Sequence, residues 1–357
     1  MKVLQVTSLL SGGPLEHALV LSRALAEAGA TVEAVCAEGR AAERFAAAGI
    51  PVHVLALKSP ADLSGGRRLR SLASGFDVVH AQDRRSGLWT RLWPRQRGQA
   101  RVYTVHGLPD PYLPPPVGSE QPSLRDRVAY RGLDAFLARR CDAVVSPSRF
   151  LAEQLVARLG YPADQIEVIA NGVEPPPPLP PGDLVGTISL LEPVKDLDTF
   201  LRAAALVRRR RPQTRFAVYG TGTMQDHLEE LAHELDLDES LSFPGHLPVD
   251  EALAELGLYV LCSLLENCPM SLLEAMAAGR PSVATAVGGV PEIAGEAVPL
   301  VPPRDPDALA AAVLRLLESP ELSAEVGARG QERVSSKFTA AANAEQMLAL
   351  YERLRRR

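Results

Sequence analysis

The chain has 357 residues, 46% hydrophobic and 23% charged, with 38 Lys+Arg against 43 Asp+Glu for a formal net charge of −5. That length exceeds what one core usually fills, so two domains are expected, and the composition is ordinary for a soluble globular protein. No stretch reaches the roughly 20 apolar residues of a membrane-crossing helix, MKVLQVTSLLSGG is too short an apolar run for a signal peptide, and Cys36, Cys141, Cys262 and Cys268 lack the CxxC spacing of a zinc or disulfide framework. A reducing, cytoplasmic setting is expected.

The opening residues read as a first buried strand. Further short β-rich runs follow at 31–36, 52–55, 77–80, 102–105, 143–146 and 166–169, with amphipathic stretches such as 17–28 and 148–159 between them. Apolar strands alternating with helices predict a parallel sheet covered on both faces. Residues 107–126 break the rhythm: this Pro-rich run after a strand end reads as an acceptor-side loop or a plain surface insertion. NGVEPPPPLPPGD, with six prolines, predicts a stiff connector at 174–183 between a domain at 1–173 and a second at 184–339. The second half repeats the alternation, with strands at 184–188, 215–219, 241–243, 258–261, 282–284 and 298–301, and helices at 197–209, 223–235, 271–278 and 307–317. A last helix, 340–357, is expected to cross back to the first domain. The expected fold is α/β, with two Rossmann-like doubly wound domains facing across a cleft and ligands beyond the carboxyl ends of the strands.

Charge is unevenly spread. Residues 1–180 hold 21 basic and 17 acidic side chains, and the remainder hold 17 and 26. Either the first half faces something anionic or two solvated surfaces simply differ. No nucleic-acid partner is expected.

The densest chemical signal is ENCPMSLLEAMAAGRPSVATAVGGVPEIAGE, 266–296. Glu266 precedes a helix entry formed by Asn267, Cys268, Pro269, Met270 and Ser271, and Glu274 lies in its first turns. A helix start offers unpaired N–H groups and a positive dipole end, a seat for phosphate. A carboxylate at Glu274 can accept from a ribose diol. Two glutamates alone would equally suit a helix dipole. Gly220 and Gly222 suggest a dinucleotide turn, but Gln225 stands where a third glycine is required, which disfavours a nicotinamide enzyme.

The wider string resembles the paired-glutamate signature of the family 4 glycosyltransferases, retaining enzymes of GT-B fold. The resemblance continues through SLLSGGPLEHALVLSRALAEAGATVEAVC near the start, YTVHG at 103–107, VIANGV at 168–173, LLEPVKDLDTFLRAA at 190–204, YGTG at 219–222 and FPGH at 243–246. It implies a sugar-transfer enzyme that takes a nucleotide-diphosphate sugar and an unspecified acceptor: a polysaccharide, a lipid-linked sugar or a small molecule. By position it implies that Glu274 binds ribose, Glu266 contacts the donor sugar, Lys195 neutralises the diphosphate and His106 sits beside the transferred sugar. It implies also that Gly12 and Gly13 let the first loop approach a ligand, and that Gly220 and Gly222 face the nucleotide. No metal or other cofactor is expected, because no DxD pair stands out. One departure concerns the arginine usual five residues before the phosphate lysine: Leu190 stands there. Arg304 is a candidate replacement, and a nucleotide-sugar-binding protein without turnover is the alternative reading.

A helix over 84–101 would put Leu88, Trp89, Leu92 and Trp93 on one face. That face either packs on the sheet or rests peripherally on an anionic inner-membrane surface.

Overall fold

The computed structural model describes residues 1–57, 62–93, 96–108, 132–177, 179–180 and 182–356. These form two compact units: one holds the described residues of 1–172 together with 339–356, the other those of 173–338. Most of the acceptor-side loop read at 107–126 lies outside the described residues.

The first unit runs β1 (Lys2–Val6), α1 (Gly13–Glu27), β2 (Thr31–Cys36), α2 (Arg40–Ala47), β3 (Val52–Val54), α3 (Leu63–Ala73), β4 (Val78–Ala81), α4 (Arg84–Leu92), β5 (Ala100–Thr104), β6 (Ala143–Ser146), α5 (Arg149–Leu159) and β7 (Ile166–Val168). Its sheet has the order β3-β2-β1-β4-β5-β6-β7, parallel throughout. The central strands β4, β5 and β6 are buried along their whole length, as helices on both faces require. Leu15, Leu21 and Leu25 of α1 pack with Leu350, Tyr351 and Leu354 of the final helix.

The second unit runs β8 (Leu184–Ile188), α6 (Leu197–Arg210), β9 (Phe216–Tyr219), α7 (Gln225–Glu234), β10 (Leu241–Gly245), α8 (Val249–Glu255), β11 (Leu256–Leu261), α9 (Met270–Ala277), β12 (Ser282–Thr285), α10 (Val290–Ala294), β13 (Leu300–Val301), α11 (Pro306–Glu318) and α12 (Pro320–Lys337). Its sheet has the order β10-β9-β8-β11-β12-β13, again parallel. Phe200 of α6 meets Phe216 of β9 edge to face, with ring centroids 6.2 Å apart, in a core shared with Leu309 and Val313 of α11. The chain then returns to the first unit as α13 (Ala340–Arg355). At that crossing a Cβ on Gly172 would lie 2.5 Å from the Thr339 carbonyl oxygen, so the outgoing and returning segments touch backbone to backbone.

The 18-residue helix α12 was not among the sequence-based expectations. Its buried face consists of Val326, Gly327, Gly330 and Val334, too sparse an apolar stripe to give a clear helical period. Gly327 serves close approach instead: a Cβ there would come within 2.3 Å of the Gly279 carbonyl oxygen just after α9.

The tryptophan helix takes the first of the two arrangements open to it and packs on the sheet. Trp89 is 1% exposed and packs with Leu4, Val6, Val35 and Leu69, while Leu92 and Trp93 lie partly buried against the same cluster. A Cβ on Gly66 of α3 would overlap the Trp89 ring at 2.4 Å, so that glycine opens the space the indole fills. Of that face Trp89 is core and Leu92 and Trp93 pack partly buried against it, and among the described residues no helix is long and apolar enough to cross a bilayer.

Candidate active site

Each sheet has one switch point, where chain order reverses: β1 beside β4 in the first unit and β8 beside β11 in the second. Loops leaving the carboxyl ends of such neighbours diverge and open a crevice. Most of the candidate residues lie on those loops.

In the second unit, the chain leaves β8 and forms a 3-10 turn at Pro193–Lys195, then passes through Asp196 at φ 49 into α6. The left-handed residue lets the turn reverse sharply. Asp196 is held there by its carboxylate, which accepts from the Thr199 hydroxyl at 2.8 Å. The Lys195 ammonium donates to Glu266 Oε1 at 2.5 Å, joining the loops after β8 and β11 across the switch point. Both side chains are only partly exposed, 22% for Lys195 and 11% for Glu266.

Glu266 is built in from three sides. The Ser263 hydroxyl donates to its Oε1 at 2.8 Å, and Ser263 is itself fixed by Thr285 Oγ1 donating to its carbonyl at 2.7 Å. The Gly289 amide donates to the Glu266 carbonyl at 2.8 Å. Gly288, at φ 55, would place a Cβ 1.9 Å from that same oxygen. The Leu264 amide donates to Val194 at 2.8 Å and locks the two loops together. Ser263, Thr285, Gly288 and Gly289 were not singled out from sequence as site residues. The Gly-Gly pair of GGVPEI was the available signal.

Helix α9 follows Pro269, which supplies no side-chain cap, so its first amides lack the usual protein oxygen. Cys268, Pro269 and Met270 are buried. Ser271 and Glu274 lie partly exposed one turn apart, Ser271 held by the Tyr259 hydroxyl at 2.8 Å. Burial pushes the Tyr259 phenol well up, so Tyr259 stays a neutral donor. Asn267 is partly buried at the loop's end.

Gly220 and Gly222 follow β9 and pack tightly against the loop after β8. A Cβ on Gly220 would lie 1.8 Å from the Ser189 carbonyl oxygen, and one on Gly222 would lie 2.4 Å from that of Leu191. Their missing side chains shape the Lys195 loop. Leu190 is 45% exposed on that loop. Arg304 lies close enough to the Asp196 carboxylate, next to Lys195 in the chain, to favour its charged form.

In the first unit, Gly12 stands at the N-cap of α1 at φ 92 and ψ 171, a conformation open essentially to glycine alone; its carbonyl accepts from the Leu15 and Glu16 amides at 3.0 and 3.2 Å, and no side chain caps the helix start. Asp83 ties this loop to α4: its carboxylate accepts from the Ser8 amide at 2.6 Å and the Ser8 hydroxyl at 2.7 Å. His106 follows β5. Its ring lies edge-on to His17 of α1, with centroids 5.1 Å apart, and its Nε2 is 3.1 Å from Gln82 Oε1. Burial lowers His80 and His106 to about 3 each and drives His17 well below the usual imidazole range, so all three are neutral at physiological pH. Among the described residues no group of three or more His, Cys, Asp or Glu is placed to hold a metal ion.

Two parallel doubly wound units, each with polar residues gathered at its switch point, define a protein of the GT-B class. The sequence profile "Glycosyl transferases group 1" matches residues 180–333, and that of "Glycosyltransferase Family 4" matches 11–175. The chain belongs to this glycosyltransferase family. Among solved structures it resembles Anabaena HepE in complex with UDP and glucose, with TM-score 0.82 at 19% identity over 99% of this chain and 100% of that one. It also resembles the sucrose-phosphate synthase of Thermosynechococcus elongatus, with TM-score 0.80 at 21% identity over 99% and 98%. Among curated relatives it is 30% identical over 219 residues to a glycogen synthase of Mycobacterium tuberculosis, covering 58% of this chain and 53% of the other. It is also 30% identical over 223 residues to the putative colanic acid biosynthesis glycosyltransferase WcaL of Escherichia coli, covering 57% and 54%. The matched region thus spans about half the length of these curated relatives.

Proposed function

We propose that this protein is a retaining, metal-independent glycosyltransferase that moves a sugar from a nucleotide-diphosphate sugar to a hydroxyl of a polysaccharide, lipid-linked or small-molecule acceptor on the cytoplasmic side of the membrane. The observation that carries this reading is the Lys195–Glu266 pair at a switch point, in the same loop that leads to the uncapped start of α9. As the bond to the anomeric carbon breaks, the leaving diphosphate gains charge. A fixed ammonium and a set of preoriented amides are the groups that stabilise such charge without reorganising. In this reading Lys195 turns from Glu266 toward the phosphates, Glu266 and Asn267 take hydroxyls of the donor sugar, and Glu274 takes the ribose diol. His106 and the Gly12–Gly13 loop are assigned to the transferred sugar.

The relatives support the donor class. HepE structures hold UDP, UDP with glucose, and UDP-glucose, which makes a uridine nucleotide the first donor to test. Purified protein incubated with a panel of nucleotide sugars should release nucleotide diphosphate slowly without acceptor and faster with one. Glu266→Ala or Lys195→Ala should abolish that release. Tight binding with no release under any donor and acceptor supports the second reading, a nucleotide-sugar-binding protein without turnover, for which the exposed Leu190 in place of the usual arginine speaks.

A further inference from the structure

Behind His106 lies a chain of buried polar side chains that sugar transfer as described leaves unused. Gln82, fully buried one residue beyond β4, turns its Oε1 to His106 Nε2 at 3.1 Å. Its Nε2 donates at 2.8 Å to Oε1 of Gln5 on β1 and lies 3.4 and 3.5 Å from the two ring nitrogens of His80. His80 on β4 is engaged at both nitrogens, Nδ1 with the Tyr351 hydroxyl of α13 at 2.6 Å and Nε2 with Thr104 Oγ1 of β5 at 2.7 Å. Gln5, His80, Gln82, Thr104 and Tyr351 are each at most 1% exposed. A site that needed only filling would be occupied by aliphatic side chains, because each buried polar group must be matched by a partner. Here three neighbouring strands and the final helix converge on a single carboxamide, and that carboxamide faces one imidazole.

We infer that Gln82 is a positioning residue. Its carbonyl oxygen holds the Nε2–H tautomer of His106, and α13 anchors that carboxamide through Tyr351, His80 and Gln5. With the proton on Nε2, Nδ1 keeps the lone pair. In that tautomer Nδ1 can accept a hydrogen bond and cannot donate one. Turning both carboxamides over would aim the Gln82 Nε2–H at His106 and reverse the tautomer, so the direction of this chain decides what His106 can recognise. The consequence for substrate rests on the sugar-transfer reading; the tautomer does not.

The test uses the full chain labelled with ¹⁵N-histidine and long-range ¹H–¹⁵N correlation spectra, with no donor or acceptor added. His106 is assigned by its absence from His106→Gln. The expected result is a neutral ring with a pyrrole-type Nε2 and a pyridine-type Nδ1. Gln82→Leu should collapse that preference toward a mixture. Gln82→Glu, nearly the same shape, sets a carboxylate against Nε2 and should raise the His106 titration midpoint by about one to three pH units. The other ionisable rings against His106 among the described residues are His17 of α1 and His80 of β4, both held neutral by burial. A wild-type ring protonated on Nδ1, or a folded Gln82→Leu protein with the tautomer unchanged, overturns the inference. If Gln82→Leu does not fold, an unmoved midpoint in Gln82→Glu overturns it equally. These spectra can give the expected answer in a protein that never releases nucleotide, so failure of the sugar-transfer reading shows separately.

Discussion

Replacing Lys195 by methionine isolates the charge at the proposed diphosphate seat, since methionine keeps an unbranched, flexible stem of similar reach. A hydrogen bond to a charged group is worth about 1.5–3 kcal/mol, which converts to a loss of about 10–150-fold in affinity. Only ligands carrying the diphosphate should feel it. Titration calorimetry with UDP, UMP and uridine gives the contrast: UDP should weaken by that factor and uridine should not change. The variant also leaves the Glu266 carboxylate, 11% exposed, still accepting from the Ser263 hydroxyl but without its ammonium partner. Surface pairs contribute about 0–1 kcal/mol and broken buried pairs cost about 3–5 kcal/mol. A pair exposed by 22% and 11% falls between, so about 1–2 kcal/mol is expected, or a fall in Tm of about 2–8 °C for a unit of this size. Restoring the missing charge balance with Lys195→Met/Glu266→Gln should recover part of that loss but none of the UDP affinity. The reasoning is refuted if uridine weakens as much as UDP, because Lys195 would then act on the fold and not on phosphate.

Gly288→Ala should displace the loop that holds Glu266, since a methyl would meet the Glu266 carbonyl oxygen at 1.9 Å from a backbone at φ 55. The expected result is a loss of about 1–3 kcal/mol of stability by urea denaturation, with weaker UDP-glucose binding; an unchanged midpoint and affinity would count against the pinning. Arg304→Ala should weaken UDP by a further factor of about ten if this arginine serves in place of the residue lost at Leu190, whereas unaltered calorimetry would remove it from the site. Acid should destabilise the first unit through its histidines. His80 and His106 are lowered to about 3 in the folded protein from an unfolded value near 6.5, so the unfolded chain binds more protons below that value. Their contribution is fully present above about pH 6.5 and declines as pH falls toward about 3, at up to about 1.4 kcal/mol per pH unit for each group. Denaturation midpoints of wild type and His80→Gln between pH 7 and 5 check this: the variant should show the shallower slope, and parallel lines would refute it.

Much of the α/β pattern was legible locally. Strands such as Ala143–Ser146 and Ser282–Thr285 are short apolar runs bounded by loops, and the proline run before β8 marks where the first unit ends. The helix start that carries Glu274 could be read because capping and dipole effects depend on neighbours in sequence. Helix α12 could not, because two of its four buried positions are glycines, one of which, Gly327, is set by the Gly279 backbone it approaches. The Trp89 face looked amphipathic, and only its neighbours at Leu4, Val35 and Gly66 make it core.

By itself, the order of residues determined the alternation of strand and helix, the class of fold and the motif that marks the family, since each follows from local periodicity and short spacing. Tertiary structure alone decided the pairings. Lys195 meets Glu266 across 71 positions, and His80 meets Tyr351 across 271. Parallel sheets make such meetings through crossover connections that bring loops from distant parts of the chain to the same edge. The charge at the candidate site and the neutrality of the buried histidines arise from those meetings, because both depend on which groups share a low-dielectric space and not on which groups are adjacent along the backbone.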